Sequence, residues 1–465
     1  MERSLRWLAW IIACGFFVLT LWTGYWSVLA GPSLSGHPRN ARLHRQDAVV
    51  VRGGIYDRNG QPIVTRGLPA DRTFVGDPSF AHVVGYTDPR YGQAGLERAY
   101  HRTLMGLDEQ SALSRFVATL AGTGWAGNDL LTTLDSRIQG AAARALGEQP
   151  GAVVVLDPHD GAILAMVSSP GFDPRRLDEA LAAREGGRDP LFNRAAQGQY
   201  PPGSSFKPVV LAAALETGVV TTADVFTDPG WVLLGGRRIE NSEGRAHGPI
   251  ALDEALALSS NTVFARLAVE LGAARLVEAA QRLGLGERPS LPIPAAGGYL
   301  PTPQALGDAA AVAAIGIGQD ALLVTPLQMA VVAAAVANGG WRVAPYLVQG
   351  VRLPDGQVLA AERRRPARAM APGVAHFVRE AMRLAVQQGT ARQAAMAGVD
   401  VAGKTGTAQV GAGRSPHAWF IGFAPARAPE VVVAVVVEHG GYGGSVAAPI
   451  ARRVIAAALG LAEGG

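Results

Sequence analysis

Between Trp7 and Ala30 the chain carries no charged residue. As a helix rising about 1.5 Å per residue, such a run reaches roughly 36 Å, enough to cross a bilayer. Arg3 and Arg6 precede it, which predicts a cytoplasmic N-terminus; Arg39, Arg42 and Arg45 follow, but a long domain translocates largely regardless of such charges. A cleaved signal peptide is the competing reading, with Val28-Leu29-Ala30 as a poor cleavage site. The uncleaved anchor is preferred, because the run exceeds the usual signal-peptide core of about 7–15 residues. The sole cysteine, Cys14, lies inside this segment, so the remainder forms no internal disulfide and depends on its core.

That core is available. The chain has 465 residues, 48% of them hydrophobic, enough for two or three domains and too apolar for disorder. The net charge is +4, and no basic cluster is interleaved with aromatics as a nucleic-acid groove requires. The nine histidines show no His-x-x-x-His or Cys/His spacing, so no metal site is expected. No cofactor is implied.

Only two lysines occur, Lys207 and Lys404, against 40 arginines (42 − 2). Positions that need only a positive charge have been given arginine. The two exceptions call for an ammonium that can lose its proton when desolvated, which guanidinium cannot do. Lys207 follows Ser204 by three positions just after Pro-Pro-Gly203, at an expected helix start, so hydroxyl and amine share a face. A serine hydroxyl becomes a useful nucleophile when a neighbouring base takes its proton, and a buried lysine can be that base. Lys404 opens Lys404-Thr405-Gly406-Thr407, whose residue types suit a strand; Gly406 is expected to let substrate approach the backbone.

An acyl-transfer site of this kind needs a second hydroxyl and an amide opposite the nucleophile. Ser-x-Asn occurs at Ser259-Ser260-Asn261. The order Ser-x-x-Lys, Ser-x-Asn, Lys-Thr-Gly resembles the penicillin-binding proteins and serine β-lactamases, where the middle motif is often Ser-Asp-Asn. Further stretches resemble the class B penicillin-binding proteins, which are membrane-anchored peptidoglycan transpeptidases. They include Arg52-Gly-Gly-Ile-Tyr-Asp-Arg-Asn-Gly60, Gly95-Leu-Glu97, Gly151–Gly161, Tyr200–Lys207, Ile315-Gly-Ile-Gly-Gln319, Thr325–Met329, Asn338-Gly-Gly340 and Ala418–Pro425. The resemblance runs from about Arg52 to the C-terminus.

It implies that Ser204 attacks the penultimate D-alanine carbonyl of a peptidoglycan stem peptide, with Lys207 as general base. Ser259 would relay a proton to or from the amine, and Asn261 would hydrogen-bond Lys207 and the substrate amide. Lys404, Thr405 and Thr407 would hold the terminal carboxylate, with Gly406 giving room, and backbone N–H groups of Ser204 and Thr407 would form the oxyanion hole. It also implies β-lactams as covalent inhibitors, a membrane-embedded glycan polymerase as partner, and a location at the bacterial cell membrane with the catalytic domain outside. His417, Trp419 and Phe420 are read as sheet packing, and Asp57, Arg58 and Glu97 as salt bridges or turn formation.

The expected organisation is a cytoplasmic tip and anchor over 1–31, a short non-catalytic pedestal over 32–130 and a transpeptidase domain over 131–465. Helices are expected over Thr132–Gln149, Asp253–Leu271, Leu327–Ala337 and Ser445–Leu461. Asp157–Gly161 signals a hairpin turn, and Val399–Val410, Ala418–Ala424 and Val431–Glu438 read as strands. Strands at both ends with helices between predict an α+β domain, an antiparallel sheet flanked by helices whose two ends share that sheet. Three rivals remain: a D,D-carboxypeptidase or a β-lactamase, in which water resolves the acyl-enzyme, and a non-enzymatic β-lactam receptor. Ser260 in place of Asp counts against the hydrolases. A receptor's cytoplasmic output domain is not found in the six residues before the apolar run.

Overall fold

The computed structural model describes residues 2–26, 50–68, 71–108, 112, 117, 120, 125–185, 189–411 and 413–461. The first element, α1 (Glu2–Gly24), contains a 19-residue span, Arg6–Gly24, that is long and apolar enough to cross a membrane. Residues 27–30 of the uncharged run and the start of the expected pedestal lie outside the described residues.

A small sheet begins with β1 (Ile55–Tyr56) and β2 (Pro62–Val64), an antiparallel pair around Asp57-Arg-Asn-Gly60. The turn is tied by Asp57, whose Oδ1 accepts from the Asn59 and Gln61 N–H groups, each at 2.8 Å; Arg58 is exposed in it. β3 (Asp129–Thr132) runs parallel to β1. The expected helix over Thr132–Gln149 is shorter: α2 spans Ser136–Leu146 and Thr132 belongs to β3. Asp135 sets that start, its carboxylate accepting from the Arg137 and Ile138 N–H groups.

The main sheet opens with β4 (Gly151–Leu156) and β5 (Ile163–Ser169), joined at the expected turn. The helical region follows, a helix over Leu177–Glu185 coming before α3 (Lys207–Glu216). Two small antiparallel pairs come next: β6 (Val225–Asp228) with β9 (Gly248–Ala251), and between them the hairpin β7 (Trp231–Leu234) and β8 (Arg237–Glu240). The expected Asp253–Leu271 helix is broken into α4 (Leu252–Ala257) and α5 (Asn261–Leu271). Then come α6 (Ala309–Gly316) and α7 (Pro326–Ala337). β10 (Val348–Arg352) and β11 (Val358–Ala360) return to the small sheet, whose order is β11-β10-β3-β1-β2. Asp129 of β3 holds this junction, pairing with Arg66 at 3.3 Å and with Arg352 at 3.0 Å.

After α8 (Pro372–Gln387), the strands β12 (Ala402–Ala408), β13 (His417–Ala424) and β14 (Val431–Val437) complete the main sheet, and α9 (Ala447–Ala458) closes the chain. The order is β12-β13-β14-β4-β5, antiparallel throughout, so the two ends of the domain share one sheet as expected. Period-two alternation makes this sheet two-sided. In β14, Val433 and Val435 face a layer with Ile138 of α2 and Ile450 and Val454 of α9. Val432, Ala434 and Val436 face the other layer, with Leu327 and Val332 of α7 and Val209 of α3. The edge strand β12 stands beside α8, the turn that leads into α3 and the α4–α5 junction, which is where the three motifs meet.

Candidate active site

Ser204 lies in a 3₁₀ turn, Gly203–Phe206, that runs directly into α3. Gly203 takes φ +53°, and its N–H donates to the Gly318 carbonyl at 2.8 Å. Gly318 itself has φ +72°, and a Cβ there would sit 2.0 Å from the Gly203 carbonyl oxygen. The indole N–H of Trp419 holds the Pro201 carbonyl at 3.0 Å. On the third side is Gly406, where a Cβ would approach the Pro202 carbonyl to 2.7 Å and the Ser205 nitrogen to 3.1 Å. The room left by Gly406 is thus occupied by the nucleophile turn, rather than kept open for substrate. Ser204 is half-buried, and among the described residues its hydroxyl makes no hydrogen bond.

One turn on, Lys207 is fully buried. Its Nζ donates to the Ser259 carbonyl at 2.6 Å and to Asn261 Oδ1 at 2.7 Å, and lies 3.2 Å from Ser259 Oγ. Asn261 cannot flip, because its Nδ2 donates to the Glu240 carbonyl at 2.7 Å. Ser259 stands at the break between α4 and α5 with φ +62°, a conformation uncommon for a residue with a side chain. Ser260 caps α5, its Oγ accepting from the Val263 N–H at 3.2 Å.

Lys404, on the edge strand and fully buried, donates to Ser259 Oγ at 2.9 Å and to the Thr405 carbonyl at 3.1 Å. Thr405 exchanges a hydroxyl hydrogen bond with Thr390 at 2.7 Å. Thr407 Oγ1 accepts from the Gly443 N–H at 3.4 Å, and its carbonyl accepts from Gln319 Nε2 at 3.5 Å. Burial pushes the Lys207 ammonium well below its ordinary value, helped by the charge of Lys404 and opposed by that of Asp228. Burial alone brings Lys404 down to about 7.

All eight residues singled out from sequence therefore meet around β12, the nucleophile turn and the Ser259 break. Trp419 does pack in the sheet, but its contact with Pro201 was not foreseen. Nor were the parts of Gly318, Gln319 and Thr390, although Ile315–Gln319 stood out as a motif. Among the described residues, no group of three or more His, Cys, Asp or Glu side chains could hold a metal ion.

The model of the penicillin-binding protein transpeptidase domain matches residues 151–456, and that of the penicillin-binding protein A dimerisation domain matches residues 52–130. The peptidoglycan D,D-transpeptidase PbpA of Mycolicibacterium smegmatis is 36% identical, over 99% of each chain. The peptidoglycan D,D-transpeptidase MrdA of Acinetobacter baumannii is 31% identical, over 81% of this chain and 64% of its own. Among solved structures, penicillin-binding protein A from M. tuberculosis as a ceftriaxone acyl-enzyme complex superposes with a TM-score of 0.82. That match is 36% identical and covers 89% of this chain and 99% of the other. With three motifs in one site and relatives spanning the whole length, the chain belongs to the penicillin-binding protein transpeptidase family.

Proposed function

We infer that this chain is a serine D,D-transpeptidase that cross-links peptidoglycan stem peptides and is acylated by β-lactams. The observation that carries the reading is the hydrogen-bonded set of Lys207, Ser259, Asn261 and Lys404, at 2.6–3.2 Å, one turn from the half-buried Ser204.

In the forward step, neutral Lys207 takes the Ser204 proton as Oγ attacks the carbonyl of the penultimate D-alanine. The Ser204 and Thr407 N–H groups receive the developing oxyanion. The tetrahedral intermediate collapses by breaking the C–N bond, and the terminal D-alanine leaves as an amine protonated from Lys207 through Ser259. An amine on a neighbouring strand then attacks the acyl-enzyme, gives its proton back through the same relay, and frees Ser204. Asn261 orients Lys207 and the substrate amide. Lys404 places positive potential near the terminal carboxylate, which Thr405 and Thr407 hydrogen-bond.

The hydrolase readings are weaker at one point. Ser260, where Ser-Asp-Asn has its carboxylate, is fully buried and used in capping α5 and contacting Thr262 at 3.1 Å. The chain is held at the bacterial cell membrane by α1, with its catalytic domain outside. It divides into tip and anchor over 1–31, pedestal over 32–130 and transpeptidase over 131–465, and a glycan polymerase in the membrane contacts the anchor and pedestal. Failure of the two to co-purify in mild detergent would count against that partner.

Labelling with a fluorescent penicillin, comparing wild type with Ser204→Ala and following the adduct, tests the activity. A Ser204-dependent adduct lasting many minutes is expected. Rapid turnover would point to a β-lactamase, and no adduct would overturn the reading.

A further inference from the structure

Behind the Ser259 break lies a buried polar cluster that takes no part in the steps above. Asp228, at the end of β6, is fully buried and meets no lysine or arginine among the described residues. Its Oδ1 accepts from the Gly230 N–H at 2.9 Å and from Thr262 Oγ1 at 2.8 Å, and its Oδ2 lies 2.8 Å from His247 Nδ1. Asn241 Nδ2 stands 2.8 Å from both carboxylate oxygens and donates to the Arg245 carbonyl at 2.8 Å. These contacts keep Asp228 ionised: burial opposes the charge, but the hydrogen bonds from His247, Gly230 and Thr262 outweigh it.

A buried carboxylate held only by dipoles and a histidine is a costly way to fill a core, since an apolar replacement is often neutral or stabilising. Its effect is to orient Asn241. With Nδ2 turned toward Asp228 and the Arg245 carbonyl, Oδ1 must point the other way. There it accepts from the Asn261 N–H at 2.7 Å and the Thr262 N–H at 3.2 Å. Those are the first N–H groups of α5, which have no partner within the helix. The helix start is fixed immediately after Ser259, whose carbonyl and hydroxyl, together with Asn261 Oδ1, are the contacts of Lys207.

We propose that Asp228, Asn241 and His247 are positioning residues for the general base: the carboxylate orients the Asn241 amide, which pins the start of α5 and so holds Ser259 and Asn261 against Lys207. His247 completes the carboxylate's coordination from the outer side, where its side chain is 13% exposed. The proposal rests on Lys207 acting as the base in Ser204 acylation.

The test is stopped-flow acylation of the full chain in detergent by benzylpenicillin, separating the initial dissociation constant from the acylation rate constant, with Tm measured alongside. Asn241→Ala is expected to lower the rate constant at least about tenfold, since small misplacements of a reacting group cost up to about 10²-fold. The dissociation constant should change less than about twofold. A second pair of variants covers the case in which Asn241→Ala does not fold. His247→Gln keeps a donor for Asp228 and should stay within about twofold of wild type, whereas His247→Leu should fall as Asn241→Ala does. Equal rates for Gln and Leu, or a folded Asn241→Ala chain with an unchanged rate constant and only a lower Tm, would overturn the proposal. Absence of acylation in wild type would instead overturn the transpeptidase reading on which it rests.

Discussion

Lys207 and Lys404 converge on one oxygen, the Ser259 hydroxyl, at 3.2 and 2.9 Å. Two ammonium groups so close in a buried site disfavour each other, and burial together with the charge of Lys404 pushes Lys207 well below its ordinary value. The Ser259 carbonyl and Asn261 Oδ1 are obligate acceptors, and a neutral amine has two N–H bonds to satisfy them. Its lone pair is then left for a hydroxyl proton.

This makes Lys207→Arg an informative change. Guanidinium keeps the charge and stays protonated at any working pH, so it cannot act as the base. Acylation by penicillin should fall by about 10²–10⁴-fold, the usual worth of a general base. Labelling at the wild-type rate would remove Lys207 from that role.

Gly318→Ala probes how the nucleophile turn is held. The left-handed φ of +72° and the 2.0 Å approach to the Gly203 carbonyl leave no space for a methyl group. Backbone against backbone cannot rotate away, so the turn carrying Ser204 must shift. Acylation should drop about 10²-fold, as expected for a misplaced nucleophile. A variant that is acylated normally would show that the turn tolerates displacement.

These two residues mark what was legible in the chain. Lys207 stood out because lysine is otherwise avoided and the Ser-x-x-Lys spacing fixes a shared face. The sheet strands were legible from their β-branched runs. The break at Ser259 was legible only in part: Ser259-Ser260-Asn261 are residue types that favour a helix cap or turn, and Ser260 does cap α5, but the same stretch also continues an Ala-rich helical pattern. It arises from partners distant in sequence: Lys207 takes the Ser259 carbonyl and Asn241 takes the N–H of Asn261. The return of β10 to the small sheet depends on pairing with β3 and on Asp129 meeting Arg352, which no local periodicity reveals. Gly406 and Gly318 could be seen as glycines of interest, but which backbone they clear depends on the fold.

Glu97 tests the small unit. It is buried between Arg52, at 2.7 Å, and Arg72. Burial opposes its charge, but the two guanidinium groups outweigh this and hold its carboxyl below 4.5. The stabilisation is therefore present above pH 4.5 and is lost as pH falls through the depressed folded value. Glu97→Gln leaves two buried cations without their anion and should cost about 3–5 kcal/mol. Denaturant unfolding at neutral pH measures this, and a loss below about 1 kcal/mol would mean the arginines find other partners.

The last prediction separates function from stability at Lys404. Burial lowers its pKa from 10.5 to about 7, so folding strips a proton between those values. Below pH 7 both states are protonated and the full penalty of burying the ammonium applies. From 7 to 10.5 the unfolded chain binds more protons than the folded one, and stability rises with pH. Lys404→Met keeps the volume and removes the charge, so it should raise Tm at pH 7 by roughly 2–6 °C, at about 2–4 °C per kcal/mol. The advantage should shrink toward pH 10, while acylation of the variant stays strongly impaired at both pH values. Thermal unfolding of both proteins at pH 7 and pH 10 checks the sign. A lower Tm for the variant at pH 7 would mean that the hydrogen bonds of Lys404 to Ser259 and Thr405 outweigh the desolvation of its charge.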